Sequence, residues 1–366
     1  MRALAEGVPL YPVYALLFTD AGLTTAQVSS LFAIWSVVAF VAEIPSGALA
    51  DAWSRKRLYA IGETLTAAGY AMWLLWPSYW GFTVGFALWG LGGSLGSGTL
   101  EALVYDAVPE ENAYARLIGR AETLSILAML AATALATPAF QAGGYLLVGS
   151  LSIAVKLLGA LLSLRLPETR TTTGPTPDPA PPNISEMSYW HILRGGVREA
   201  VGTRVVARAV LVAALVPGFS ALDEFLPLLA RDKGAPTAAV PLLFALTALA
   251  MAAGSALAGR GRGLSWALGG AAVLLAAGAL TPHLAGMIAV SAAFGLLQYA
   301  MIRAEARLQE RITGPARTTV LSVAGFASEA FSVVLYLAFA VDLPLTALFA
   351  LCSAPLLLTA LIARRR

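Results

Sequence analysis

The stretch VPLLFALTALAMAAGSALA, residues Val240–Ala258, carries no charged side chain along its whole length. Coiled as a helix at 1.5 Å per residue it reaches about 28 Å, close to the roughly 30 Å hydrocarbon core of a bilayer. Residues 205–219 read the same way, interrupted only by Arg208. Neither segment alternates apolar and polar residues as barrel strands do. The rest of the chain follows suit: 58% of its 366 residues are hydrophobic and 12% charged. The mean hydropathy is +0.75. Soluble domains hold roughly 45–50% apolar and about 25% charged residues. These values exclude a water-soluble enzyme, a disulfide scaffold and a disordered chain, and leave a polytopic helical membrane protein.

Apolar runs and breakers divide the chain into twelve candidate spans. They cover residues 3–19, 26–50, 58–76, 81–107, 115–137 and 144–164, then 205–230, 238–258, 264–281, 284–304, 316–340 and 345–363. Twelve spans of about 20 residues use roughly 240 positions, so loops are short. The first span starts almost at Met1, which leaves no separate n-region for a cleavable signal peptide. All but three of the 24 Lys and Arg residues fall at the two ends and in alternate connections; Lys156, Arg231 and Lys233 are the exceptions. By the positive-inside rule both termini are cytoplasmic, in the inner or plasma membrane. The pI near 9.1 is thus a topology signal and not a nucleic-acid patch.

Residues 165–204 separate an N-terminal six-helix bundle, 1–164, from a C-terminal one, 205–366. The linker opens with a Pro/Thr-rich run at 171–182 that cannot pack. Its later part places Trp190, Ile192, Leu193 and Val197 among Arg194, Arg198 and Glu199, the pattern of a short amphipathic helix or an ordinary linker helix. The two bundles read as repeats. Thr19-Asp20-Ala21-Gly22 is echoed by Arg231-Asp232-Lys233-Gly234, and the same offset relates Thr25, Val28 and Phe32 to Thr237, Val240 and Phe244. Two six-helix repeats joined by a linker are an architecture of secondary transporters, with the substrate between the repeats near the midplane.

The first basic loop reads Gly47-Ala48-Leu49-Ala50-Asp51-Ala52-Trp53-Ser54-Arg55-Lys56-Arg57. It resembles the signature loop of the major facilitator superfamily, matching at Gly47, Asp51, Arg55 and Lys56. Ala52 stands where the family usually has a basic residue and Ser54 where it has glycine. The resemblance implies that Gly47 permits close helix approach, and that Asp51 locks the cytoplasmic gate against an arginine of span 11, here Arg317. It also implies a cavity lined by spans 1, 4, 7 and 10. The equivalent loop of the second half lacks the aspartate, and span 4 lacks the arginine common in the family's proton antiporters.

Ionisable groups inside spans are costly and mark function or pairing. Near the basic side lie Glu43, Glu63, Glu101, Asp106 and Glu122; Glu43, Glu101 and Glu122 are about 9–11 Å inside by helix rise. With Arg55, Arg116, Arg120 and Arg317 they read as a gate network of ion pairs. Asp223, Glu224, Glu329 and Glu101 are the candidate proton-coupling carboxylates, static ion contacts being the alternative. Lys156 pairs with an acid or snorkels. Tyr11, Tyr14, Trp89, Ser97, Phe219, Gln298 and Tyr299 are the substrate-cavity candidates, an aromatic set suited to an amphipathic molecule or to plain packing.

His191 and His283 fall on opposite sides, Cys352 is the single cysteine, and no Gly-x-x-x-x-Gly-Lys-Ser/Thr run occurs. The reading therefore has no metal, no cofactor and no ATP. The function expected is proton-coupled export, by alternating access, of a small amphipathic or apolar organic compound by a monomer in a lipid bilayer. Uniport or uptake of a polar metabolite is the alternative, and a non-transporting receptor or lipid-handling protein the third.

Overall fold

A computed structural model describes residues 1–97, 99–100, 103–104, 111–166, 203–259, 263–312 and 317–364. Helix makes up 87% of it, and no strand occurs among the described residues. The helices are α1 (Arg2–Glu6), α2 (Tyr14–Asp20), α3 (Thr25–Ala52), α4 (Arg55–Leu75), α5 (Tyr79–Gly96) and α6 (Glu111–Ser163), followed by α7 (Arg204–Gly218), α8 (Leu226–Asp232), α9 (Val240–Ala258), α10 (Leu264–Leu280), α11 (Gly286–Arg311), α12 (Arg317–Ala338) and α13 (Leu345–Arg364). Seven helical segments among the described residues are long and apolar enough to cross a membrane. The linker, including the amphipathic stretch, lies outside the described residues except at its ends, 165–166 and 203–204.

Four spans differ from the sequence reading. The first is not one helix: α1 and α2 are separated by residues 7–13, where Pro9 and Pro12 withdraw two backbone donors. The fourth is broken after Gly96, where Ser97 turns out of the helix with ψ 129°, and the described residues 99–100 and 103–104 are helical again. The fifth runs on through Pro138 to a break at Gly143 and Gly144 (φ 57°), where the sixth begins as expected; the two helices together are α6. The seventh unwinds after Pro217-Gly218 into a 3-10 turn, Phe219–Phe225, before α8. Pro217 also sits inside α7.

Two compact units are present. One comprises residues 1–171, 230–245 and 339–342; the other comprises 172–229, 246–338 and 343–366. In the first unit α5 packs against α3 and α4, while α6 packs against α1 and α4. Glycine sets the α4–α5 spacing. A Cβ on Gly62 would lie 2.5 Å from the Gly92 carbonyl oxygen, and one on Gly92 would lie 2.4 Å from that of Gly62. Aromatic rings fill the space beside these helices: Phe18, Phe32, Tyr70, Phe82 and Phe86 are fully buried. Trp73 is buried with them and donates from Nε1 to the Phe82 carbonyl at 3.2 Å.

In the second unit α10 packs on α11 and α13, and α7 on α11 and α12. Its core includes Ala209, Val210, Leu308, Ile312, Val320 and Ala324. A Cβ on Gly254 would lie 2.0 Å from the Gly295 carbonyl, so α9 and α11 also touch through glycine.

The repeat is visible in backbone geometry. α2 ends with Gly22 at φ 93° and α8 with Gly234 at φ 91°, a region where only glycine is unstrained. The Leu23 amide donates to Phe18 O at 3.1 Å and the Gly22 amide to Thr19 O at 3.0 Å. At the same offset the Ala235 amide donates to Ala230 O at 3.0 Å and the Gly234 amide to Arg231 O at 2.8 Å. Both ends are therefore Schellman caps.

Candidate substrate cavity and charged contacts

The break in the first span creates a problem that α6 solves. Unwound backbone inside an apolar bundle leaves carbonyl and amide groups that must be satisfied. Ser152 and Lys156, one helical turn apart, lie on one face of α6. The Leu10 amide donates to Ser152 Oγ at 3.0 Å, and Lys156 Nζ donates to the Ala5 carbonyl at 2.8 Å. Lys156 also lies 3.3 Å from Glu63 Oε2 of α4, with the two side chains 5% and 10% exposed. That carboxylate oxygen has no hydrogen-bond partner among the described residues. The pair is thus an electrostatic contact in which Glu63 still has a lone pair to offer.

A cavity of about 540 Å³ opens onto this pair. Tyr11, from the unwound segment, and Trp89 of α5 form its aromatic wall. Their rings stack with centroids 5.6 Å apart and planes 18° apart, and Trp35 stacks on Trp89 at 4.9 Å. Gly92, Gly93, Gly96 and Ser97 line another side, where missing side chains leave room. Arg2 and Glu6 of α1 complete the charged part of the lining. Two acids and two bases make the lining electrically balanced.

Of the substrate-cavity expectations, Tyr11, Trp89 and Ser97 meet here. Tyr14 does not line the cavity; it is buried among Phe18, Phe32, Trp73 and Phe86. Phe219 is fully buried in the second unit against Phe331, at 5.0 Å between centroids. Gln298 and Tyr299 are half-buried on α11. Glu63, read with the gate acids, pairs instead with Lys156, for which pairing with an acid was one of two readings; that the two meet at a cavity was not predicted. Their signal was depth: by helix rise Glu63 lies about 12 Å from the start of α4 and Lys156 about 11 Å from the end of α6.

For the gate network, Ser97 Oγ donates to Glu43 Oε1 at 2.8 Å, which ties α3 to the end of α5. Arg55 and Lys56 sit in the first turn of α4, capped by Ser54, whose Oγ accepts from the Arg57 amide. Arg120 is exposed on α6. A Cβ on Gly47 would meet no described atom within 4 Å, so the described residues hold no close helix approach there. Glu101 and Asp106 lie outside the described residues, as do the side chains of Asp51, Arg116, Glu122 and Arg317.

Among the coupling expectations, Asp223 and Glu224 lie half-buried on the 3-10 turn, and Glu329 is exposed on α12. Both elements belong to the second unit and pack on each other. Phe225 faces Tyr336 there, with centroids 6.2 Å apart.

A second charged contact was not foreseen. Arg231, in the first unit together with residues 230–245, pairs with Asp20 at the end of α2. It also donates to Thr19 Oγ1 at 3.1 Å and to Thr237 Oγ1 at 3.2 Å. The Tyr145 hydroxyl donates to the same aspartate. Asp20 and Arg231 belong to the echoed caps of the two repeats, so one repeat's cap holds the other's.

The family model for the Major Facilitator Superfamily matches residues 2–344. No curated protein matches the chain significantly in sequence. Solved structures agree in fold at low identity. The nucleoside transporter NupG is 12% identical with a TM-score of 0.74, covering 100% of this chain and 99% of its own. An auto-inhibited POT family peptide transporter is 16% identical at 0.71, covering 100% and 96%. A D-xylose-proton symporter is 16% identical at 0.70, covering 100% and 95%. With a family model running over nearly its whole length, this chain belongs to the Major Facilitator Superfamily and is a multi-pass membrane transporter, not an enzyme.

Proposed function

We propose that the protein is a secondary active transporter that exports a small amphipathic or apolar organic compound in exchange for protons, by alternating access. The observation that carries this reading is the cavity of about 540 Å³ beside Tyr11 and Trp89, with the Glu63–Lys156 pair at its polar end. Aromatic walls suit the apolar body of such a compound and the charge pair its polar head. Twelve spans in two six-helix bundles, 1–164 and 205–366, joined by the linker 165–204, give the scaffold. Both termini face the cytoplasm and the protein works as a monomer. Gly47, Asp51, Arg55, Lys56, Glu43, Glu101, Asp106, Arg116, Arg120, Glu122 and Arg317 form the cytoplasmic gate. Asp223, Glu224, Glu329 and Glu101 are the carboxylates from which the coupling group comes.

Proteoliposomes test the reading. With an imposed pH gradient, a fluorescent amphipathic dye moves against proton flow, and Trp89→Ala cuts the rate about tenfold. Absence of pH-driven flux for every dye tried rejects export by antiport. The balanced charges around the cavity favour one second reading, proton-coupled uptake of a polar metabolite; proteins of this fold include a nucleoside transporter, a peptide transporter and a D-xylose-proton symporter. Flux of a labelled polar metabolite in the direction of proton flow identifies that mode.

A further inference from the structure

A second large cavity, of about 910 Å³, lies within the second unit between the ends of α10, α11 and α13. Arg303, Arg307 and Arg311 recur every four residues along α11 and line it, and Arg364 at the end of α13 completes the basic wall. Glu310 is the one acid in the lining. None of the four arginines makes an ion pair among the described residues; Arg307 donates to the Ala363 carbonyl at 2.7 Å. A net charge of three lining positive groups in one recess repels itself and calls for a counter-anion.

The recess is half apolar. Leu264, Leu357 and Leu361 line it, and Trp266, at the start of α10, is 83% exposed at its rim. An exposed tryptophan at the end of an apolar helix is characteristic of the membrane–water interface. Leu361 is also strongly exposed. A water-soluble anion would gain nothing from Trp266 and Leu361, whereas a lipid uses both halves of the site. Basic pockets between helices on the cytoplasmic side are suited to phosphate headgroups. The spacing speaks to the number of phosphates: Arg303 and Arg311 are about 12 Å apart along the helix. That length of basic wall accommodates two phosphates, each taking paired N–H donors from neighbouring guanidinium groups.

We propose that this recess is a binding site for an anionic phospholipid carrying two phosphates, of the diphosphatidylglycerol type, with its phosphates on Arg303, Arg307, Arg311 and Arg364 and its acyl chains along Leu357, Leu361 and Trp266. The site is separate from the substrate cavity, so the proposal stands or falls independently of the transport reading.

The experiment uses the full chain, purified and delipidated in detergent, with thermal unfolding and native mass spectrometry as readouts. Added diphosphatidylglycerol raises the unfolding temperature and stays bound as one adduct. Phosphatidylglycerol does so more weakly, and phosphatidylcholine and inorganic phosphate do not. The double variant Arg303→Gln/Arg311→Gln, which leaves the Arg307–Ala363 contact in place, binds diphosphatidylglycerol about 25-fold more weakly, at roughly fivefold per arginine. Trp266→Ala weakens lipid binding while leaving the basic wall intact. Equal stabilisation by phosphatidylcholine overturns the proposal, as does equal stabilisation by phosphatidylglycerol, which removes the two-phosphate requirement, or by inorganic phosphate, which removes the lipid. Unchanged lipid binding in a folded double variant also overturns it. If the double variant does not fold, Trp266→Ala with the same lipid series decides.

Discussion

At the scale of single residues, Lys156 illustrates why a buried charge is retained. Its ammonium replaces water for the Ala5 carbonyl and for Glu63 at once. Removing one member of a buried pair strands the other, at about 3–5 kcal/mol, whereas removing both is far less damaging. Lys156→Met should therefore lower the unfolding temperature of the purified protein sharply, and Lys156→Met/Glu63→Gln should recover part of the loss. A double variant as unstable as the single one would show that the Ala5 contact, and not the pair, is what matters. Arg231 and Asp20 stand in a different environment. Their side chains are 28% and 43% exposed, so solvent screens them. Arg231→Ala is expected to cost under about 1 kcal/mol in denaturant unfolding. The cap hydrogen bonds of α8 use backbone atoms and survive that change.

Among the elements, two devices place the site. The first is the break between α1 and α2. It puts Tyr11 against Trp89 in the cavity lining, and Pro9 and Pro12 make it local. The prolines were readable in the sequence. The partners that make the break tolerable, Ser152 and Lys156, are over a hundred residues away, and no local pattern names them. The second is the glycine contact between α4 and α5. A methyl group on Gly92 would press against backbone atoms of Gly62, which cannot rotate away. Gly92→Ala is expected to cost about 1–3 kcal/mol and to perturb the adjoining cavity wall. Gly93→Ala, whose Cβ meets nothing within 4 Å, is the matched control. Thermal unfolding of the two variants side by side checks this; equal stabilities would refute the close contact. Gly96, one turn further along α5, contributes through its backbone: a Cβ on Gly62 would lie 3.4 Å from the Gly96 amide nitrogen, whereas one on Gly96 itself would come no nearer than 3.9 Å to the Tyr59 ring.

For the whole molecule, charge distribution along the chain predicts sidedness. In a Cys352→Ser background, Trp53→Cys should resist a membrane-impermeant maleimide in intact cells, and Pro77→Cys, at the other end of α4, should react. The reverse pattern would invert the proposed topology. Composition and hydropathy sufficed to establish a helical membrane protein, because a chain this apolar can satisfy its backbone in lipid only by helices or a closed barrel, and its pattern lacks the barrel's alternation. The repeat was legible for the same kind of reason. A left-handed glycine cap is a local requirement, so Gly22 and Gly234 announce it within a few residues. Only the tertiary structure decided that the first span is broken, that Glu63 meets Lys156, that Arg231 meets Asp20, and that four arginines share one recess. Each of these depends on which helices become neighbours, at what depth and with which faces turned together. That is settled by close packing over the whole fold and not by any window of sequence.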